Sequence, residues 1–172
     1  WAEARRLYER VVPLYEKEYG PDHRRVADAL NNQADADVHL AEVSAKDHDV
    51  ALDEAERLQR RVLAIYRRIL EPDDPEFGYP LVGLGLIELA RKRPREAMPW
   101  LDQAIQASRS AAASFDVASA SRFAMAEAVW ATDRDARRAR ALATEAMALL
   151  PADTRAARRQ EISAWLARLP AR

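Results

Sequence analysis

The sequence predicts an all-α protein of about eight antiparallel helices, and three observations support this fold class. The 172 residues contain only four glycines, whereas alanine and leucine, which favour helices, are abundant. Apolar residues recur at spacings of three and four along most of the chain, which is the period of an amphipathic helix. Proline, glycine and aspartate interrupt these stretches, so the helices are predicted to be joined by turns.

The composition excludes several classes of function. Because cysteine is absent, the chain forms no disulfide, thiolate metal site or cysteine nucleophile. The 27 basic and 28 acidic residues leave a net charge of -1, so no overall field attracts nucleic acid or an anionic membrane. No apolar run approaches the roughly 20 residues of a membrane span, and no secretory signal is evident. A cytoplasmic location is therefore expected.

The first three predicted helices are separated by recognisable stop signals. Residues 1–19 carry an apolar stripe with no preceding cap, and Gly20-Pro21-Asp22 ends this helix and caps the next. Residues 23–70 contain two helices separated by Val43 to Asp53, a polar segment that is predicted to be a long loop. Two prolines within Glu71 to Pro75 stop the third helix.

The second half of the chain continues the same alternation. Residues 75–108 contain two helices joined by a short polar turn at Arg91 to Arg95, and Pro80 is tolerated only in the first turn of its helix. Residues 117–151 contain two more. A final helix over residues 153–169, capped by Asp153 or Thr154, has one apolar stripe and is predicted to close the last hydrophobic face.

Matching offsets indicate an internal repeat. A small residue near the start of each second helix recurs at intervals of 51, 42 and 42 residues, as Ala4, Ala55, Ala97 and Ala139. The first helices agree in the same frame, with small residues at Ala34, Gly85 and Ala124. The nine extra residues of the first interval are predicted to lie in the Val43 to Asp53 loop. Gly85 costs a helix about 1 kcal/mol relative to alanine, so its partner helix is expected to approach too closely for a side chain.

This pattern resembles the tetratricopeptide repeat, in particular the 42-residue subclass found in kinesin light chains and bacterial signalling proteins. The Gly20-Pro21-Asp22-His23 turn and the Asn31-Asn32 pair also belong to that subclass. The resemblance covers about residues 1–151, and polar residues replace the usual bulky apolar ones at three positions, Gln33, Asp37 and Gln59. It implies a right-handed superhelix, or α-solenoid, built from the second helix of a truncated repeat, three full repeats of which the first is looser, and a C-terminal capping helix.

The resemblance also implies a non-catalytic scaffold that binds a protein or peptide. The sequence contains no kinase motif, phosphate-binding loop or Ser/His/Asp triad, so no enzyme activity is expected. The segments Ala148-Leu149-Leu150-Pro151 and Trp165-Leu166-Ala167 are similar to the C-terminal tails of bacterial, especially myxobacterial, serine/threonine protein kinases that carry these repeats. The chain is therefore predicted to be the C-terminal interaction module of a larger bacterial signalling protein. The alternative is a ligand- or peptide-sensing domain of a transcriptional regulator.

Members of this family line a concave face with the first helix of each repeat, and the resemblance implies a binding face on those helices here. Transferring the register gives a polar and acidic first group, Asp28, Asn31, Asp35, Val38 and His39. The second and third groups are largely apolar, and they are Tyr79, Val82, Leu86 and Leu89, then Ala118, Ser121, Arg122, Met125 and Val129. The acidic first group does not match the basic clamp with which chaperone-binding members hold an acidic tail. An extended or helical peptide with a basic end and an apolar body is the predicted ligand.

Other groups of residues are predicted to lie on the surface or in the core without binding a ligand. Asp35, His39 and His48 lack a further convergent ligand, so no metal or other cofactor is expected. Basic residues in the last quarter alternate with acidic ones, so no nucleic-acid site is expected. The four tryptophans lie mostly on apolar stripes and are predicted core residues, Trp1, Trp100, Trp130 and Trp165. Self-association through the N-terminal half repeat is a third alternative, because three apolar residues there lack a partner helix, Leu7, Val11 and Tyr15.

Overall fold

The computed structural model describes residues 1–44, 47–110, 112–151 and 155–170. Within these ranges the chain forms eight α-helices, one short 3₁₀ helix and no strand, which confirms the predicted all-α class. The α-helices are α1 (Ala2–Tyr19), α2 (Arg24–Val43), α3 (His48–Ile69), α4 (Gly78–Ala90), α5 (Pro94–Ala107), α6 (Phe115–Asp133), α7 (Ala136–Ala148) and α8 (Ala156–Leu166). The 3₁₀ helix, Pro75–Phe77, leads directly into α4.

Each helix packs mainly on helices that are close to it in sequence. The pairs α2 and α3, α4 and α5, and α6 and α7 each pack together, and the first helices of these pairs, α2, α4 and α6, also lie side by side. At the two ends, α1 packs on α2 and α8 packs on α7. Contacts confined to near neighbours are characteristic of a stack of helix pairs. The predicted solenoid arrangement of antiparallel helix pairs agrees with this packing.

The structure corrects the long loop predicted at Val43 to Asp53. α3 already begins at His48, so the nine extra residues of the first interval lengthen the helices instead. α2 and α3 have 20 and 22 residues, whereas α4 and α5 have 13 and 14. The polar residues that suggested a loop lie on the exposed side of the first turns of α3, with Ala51 and Leu52 buried beneath them. The predicted caps of the last helix, Asp153 and Thr154, lie outside the described residues.

α4 is buried on most sides, and three of the chain's four glycines lie in it. Gly78, Gly83 and Gly85 lie against side chains of α6, α3 and α5, respectively. A Cβ atom on Gly85 would lie 2.6 Å from Cγ of Leu101, which is closer than the 3.0 Å that real Cβ atoms keep from other heavy atoms. Leu101 is fully buried and cannot turn outward. The close approach expected at Gly85 is therefore present in the structure.

The three polar residues at predicted apolar positions, Gln33, Asp37 and Gln59, are all buried. Asp37 faces α1, where Nε of Arg5 lies 3.1 Å from its Oδ1 atom. Burial raises the pKa of Asp37 to about 6, although Arg5 opposes this increase. The amide of Gln59 packs against Gly83 and has no hydrogen-bond partner within the described ranges. Polar groups therefore lie inside two helix contacts, and α2 and α3 still supply most of the largest core cluster.

The tryptophans are less buried than the sequence predicts. Trp100, Trp130 and Trp165 are half-buried and pack against the core clusters. The prediction is wrong for Trp1, which is 62% exposed and whose ring stacks on the imidazole of His39.

The contact between Gly85 and Leu101 can be tested by a double-mutant cycle. Gly85→Ala improves helix propensity by about 1 kcal/mol, but overpacking against Leu101 costs roughly 1 to 3 kcal/mol, so we expect a net loss of stability. Leu101→Ala creates a cavity and costs about 2 to 5 kcal/mol. The cavity left by Leu101→Ala accepts the methyl group added by Gly85→Ala. The sum of the stability losses of the two single variants should therefore exceed the loss of the double variant by about 1 kcal/mol.

The free energy of unfolding of these variants is measured by urea denaturation. The matched control combines Gly85→Ala with Ile162→Val in the distant α8, and these two effects should add within about 0.5 kcal/mol. If the effects of Gly85→Ala and Leu101→Ala were additive, the close contact between position 85 and Leu101 would be contradicted.

Candidate functional site

The sequence around α2 leaves one face of this helix free. Gly20 ends α1 with a positive φ of 90°, a conformation that glycine adopts without strain. His23 then caps α2, because its Nδ1 accepts a hydrogen bond of 3.1 Å from the backbone N–H of Arg25. Buried alanines occupy the packed sides of the helix, Ala27, Ala29, Ala34, Ala36 and Ala41. Their small size lets α1, α3 and α4 pack around α2 on its other sides.

The free side of α2 is acidic. Five residues at alternating spacings of four and three form what we call the acidic face, Asp28, Asn32, Asp35, His39 and Glu42. Its carboxylates form no ion pair with a lysine or arginine of the described ranges. Asp28 accepts a hydrogen bond of 3.3 Å from the hydroxyl of Tyr66, and Glu42 lies 3.2 Å from Nδ1 of His39. These carboxylates therefore remain available to a cation from outside the described chain.

Asp35 lies at the centre of the acidic face. Its residue is exposed to solvent, yet burial raises the pKa of its carboxyl to about 6, with His39 lowering it. Neighbouring protein atoms that partly desolvate the carboxyl are the cause of this increase. Such a carboxylate interacts more strongly with a cation than one on a flat, fully solvated surface.

Exposed aromatic rings lie near both ends of the acidic face. Near the Glu42 end, the indole of Trp1 stacks on the imidazole of His39, with ring centroids 4.0 Å apart and an angle of 15° between the planes. Tyr66, which donates a hydrogen bond to Asp28, also meets the ring of Phe77 edge-on, with ring centroids 6.0 Å apart. Phe77 leads into α4, where Tyr79 is 41% exposed. Burial and Asp28 raise the pKa of Tyr66, and Tyr79 adds to this increase. The acidic face thus combines carboxylates with accessible aromatic surface.

The structure corrects the apolar part of the predicted binding face, because most of it belongs to the core. The buried members are Val38, Val82, Ala118, Ser121, Met125 and Val129. Met125 and Val129 lie in one core cluster, against which Leu86 and Leu89 of α4 pack while remaining half-buried. α4 and α6 lie close enough that these apolar sides pack on each other. The accessible members of the predicted face are therefore mainly those of α2, together with Tyr79.

Arg122 also lies elsewhere than predicted. Its Nη1 donates hydrogen bonds to the carbonyl oxygen of Ala118 at 2.8 Å and to Oγ of Ser108 at 3.1 Å. Its Nε lies 3.7 Å from a carboxylate oxygen of Glu145 in α7. Because Ser108 follows α5 and Glu145 lies in α7, Arg122 faces the second helices of the pairs and not the first.

The sequence did not identify Glu127 of α6 as a candidate residue. Burial raises the pKa of this half-buried carboxyl to about 7, Arg158 of α8 lowers it, and the negative charges of Glu161 and Glu42 raise it further. The pKa of Glu127 thus depends on charged groups of α2 and α8. The available signal was the position of Glu127 in the repeat frame, where it corresponds to Asp37 and Glu88.

The histidines and acidic residues that were considered as metal ligands form local contacts in the structure. No three metal-binding side chains in the described ranges are arranged to hold a metal ion. Nδ1 of His48 lies 2.9 Å from the carbonyl oxygen of Ala41, at the turn between α2 and α3. Across the described part of the chain, no helix combines the length and the hydropathy needed to cross a membrane.

The exposed apolar residues of α1 differ from those predicted. Val11 and Tyr15 are half-buried and pack against the largest core cluster, so they do not lack partners. Leu7 is 51% exposed and Leu14 is 62% exposed. The accessible apolar surface of α1 therefore centres on these two leucines.

Comparison with known families gives two matches. A family model described as tetratricopeptide repeat matches residues 32–110, and a second with the same description matches residues 1–25. Together they cover more than half of the chain, including α1, most of α2 and all of α3 to α5. No curated protein matches the chain.

The raised pKa of Glu127 predicts a pH-dependent stability. The carboxyl of Glu127 has a pKa of about 7 in the folded protein, compared with an ordinary value of 4.5. The stability that it contributes is fully present below pH 4.5 and is lost as the pH rises through 7. In Glu127→Gln, we expect the free energy of unfolding to fall less between pH 4.5 and 8 than in the wild type. Urea denaturation at several pH values measures this slope. Glu3→Gln on the exposed side of α1 is the control, and an unchanged slope in Glu127→Gln would show that its charge does not matter.

Proposed function

The chain belongs to the tetratricopeptide repeat family, and from this premise we propose that it is a non-catalytic scaffold that holds a peptide segment of a partner protein along the acidic face of α2. Repeats of this family support protein–protein interaction scaffolds. The observation that carries the proposal is the acidic face itself, where Asp28, Asp35 and Glu42 are accessible and have no lysine or arginine partner within the described ranges.

The partner segment carries basic residues followed by an apolar stretch. The basic residues lie against the acidic face, since opposite charge steers association and fixes register. The apolar stretch contacts Tyr79, Leu86 and Leu89 of α4, which are the predicted apolar residues that retain accessible surface. An acidic partner segment is disfavoured, because it would place like charges beside Asp35 and Glu42.

We place the chain in the cytoplasm, as the C-terminal interaction module of a larger bacterial signalling protein such as a serine/threonine kinase. The similarity of Ala148 to Pro151 and of Trp165 to Ala167 to the tails of such kinases supports this context. The coding sequence upstream of Trp1 tests it. A kinase domain there supports the proposal, whereas a helix-turn-helix domain would favour the sensor of a transcriptional regulator instead.

Self-association through α1 is a separate proposal, which rests on the exposed side chains of Leu7 and Leu14. Analytical ultracentrifugation tests it at high protein concentration. A dimer in the wild type and a monomer in the variant Leu7→Glu/Leu14→Glu would support self-association, and a wild-type monomer would exclude it.

Peptide binding tests the scaffold directly. We expect a fluorescent peptide with three arginines and a following leucine-rich stretch to bind, and the same peptide with glutamates in place of the arginines not to bind. The triple variant Asn31→Ala/Tyr79→Ala/Leu86→Ala should weaken binding at least about tenfold, because it removes polar and apolar contact surface near the acidic face.

Fluorescence anisotropy measures the dissociation constant, and circular dichroism checks that the triple variant retains its helix content. Arg137→Ala on the exposed surface of α7 is the matched control and should bind as the wild type does. Undiminished binding by a folded triple variant would refute the proposed location.

A further inference from the structure

The acidic face repeats its carboxylates at a constant distance. Asp28, Asp35 and Glu42 are each seven residues apart, so their Cα atoms follow one another along α2 at about 10.5 Å. All three are exposed and lie on the same side of the helix. A partner that engages all three must therefore present its cations at nearly the same spacing on one side.

We propose, building on the proposed function, that the partner segment is an extended chain with arginine at every third residue, and that its guanidinium groups pair with Asp28, Asp35 and Glu42. A polyproline II chain has three residues per turn and rises about 3.1 Å per residue, so every third side chain lies on the same side, about 9.3 Å apart. The length and flexibility of arginine side chains cover the remaining difference of about 1 Å. A β-strand does not meet this requirement, because its third residue points to the opposite face.

The surface beside the acidic face favours an extended chain over a helix. A helical partner anchors an apolar stripe in a hydrophobic groove. Of the apolar residues on the predicted binding face, Val38, Val82 and Met125 are buried, and those that stay most accessible lie on one helix, α4. An extended chain instead has free backbone N–H groups. Asn32 is exposed between Asp28 and Asp35. Its side-chain amide supplies an acceptor and donors for a polyproline II backbone, which makes no internal hydrogen bonds.

The aromatic rings favour arginine over lysine. Trp1 is 62% exposed beside His39 near one end of the acidic face, and Tyr79 is 41% exposed near the other. A guanidinium group pairs bidentately with a carboxylate and stacks on an aromatic ring, whereas an ammonium group is a compact, strongly hydrated charge. The combination of carboxylates and accessible rings thus matches the outer arginines of the segment.

The test compares peptides of equal composition and charge. The first, Arg-Pro-Ala-Arg-Pro-Ala-Arg, has the proposed spacing, and the second, Pro-Ala-Arg-Arg-Arg-Pro-Ala, has contiguous arginines. By isothermal titration calorimetry at fixed ionic strength we expect the first to bind at least about tenfold more tightly. Replacing its arginines by lysines should weaken binding about fivefold or more.

Asp35→Asn should reduce affinity for the first peptide at least about tenfold and reduce the preference over the second. Asp102→Asn on the exposed surface of α5 makes the same change of charge and should leave both affinities unchanged. Asparagine is nearly isosteric with aspartate, and thermal unfolding of both variants confirms that they fold.

The outcomes separate this inference from the proposed function. Equal affinities for the two arginine peptides would overturn the spacing. Binding of the basic and apolar peptide of the preceding subsection without binding of the first arginine peptide would overturn the arginine register alone. Failure of both ligands to bind would overturn the proposed function as well.

Discussion

The fold depends on missing side chains along α4. Gly78, Gly83 and Gly85 lie so close to side chains of α6, α3 and α5 that a Cβ atom at any of these positions would force a neighbouring side chain to shift. Each glycine costs helix stability, and close packing offsets that cost only if the approaching helices are correctly placed. Three neighbours of α4 therefore pack against it at positions where this helix lacks side chains.

The same close approach determines which surface is left for a partner. Apolar residues of α4 and α6 such as Val82 and Met125 are buried in the core clusters and add to stability. α2 differs because its free side is polar, so its carboxylates remain in water instead of entering the core. The close packing of α4 and α6 and the accessibility of the free side of α2 thus both result from the way these helices are arranged. Binding specificity in this chain consequently rests on charge and hydrogen bonding more than on a hydrophobic groove.

The sequence predicted the features that depend on local spacing. Gly85 and the small residues of the repeat indicated the helix pairs, because positions three and four apart share a helix face. The loop at Val43 to Asp53 was wrong because the exposed side of a helix has the same composition as a loop. The burial of Ser121 could not be predicted, since equivalent repeat positions differ in exposure when neighbouring helices differ in packing. Glu127 was missed because its electrostatic neighbours come from α2 and α8, which are distant in sequence.

The stack of Trp1 on His39 makes the protein its own optical probe. The other three tryptophans are half-buried against core residues, so their emission reports mainly on folding. Trp1 emits from the surface, with its indole in contact with an imidazole that also belongs to the acidic face. A molecule that settles on this face changes the polarity and quenching experienced by that indole. Occupancy of the face can therefore be followed through intrinsic fluorescence, with no dye or tag attached to the chain.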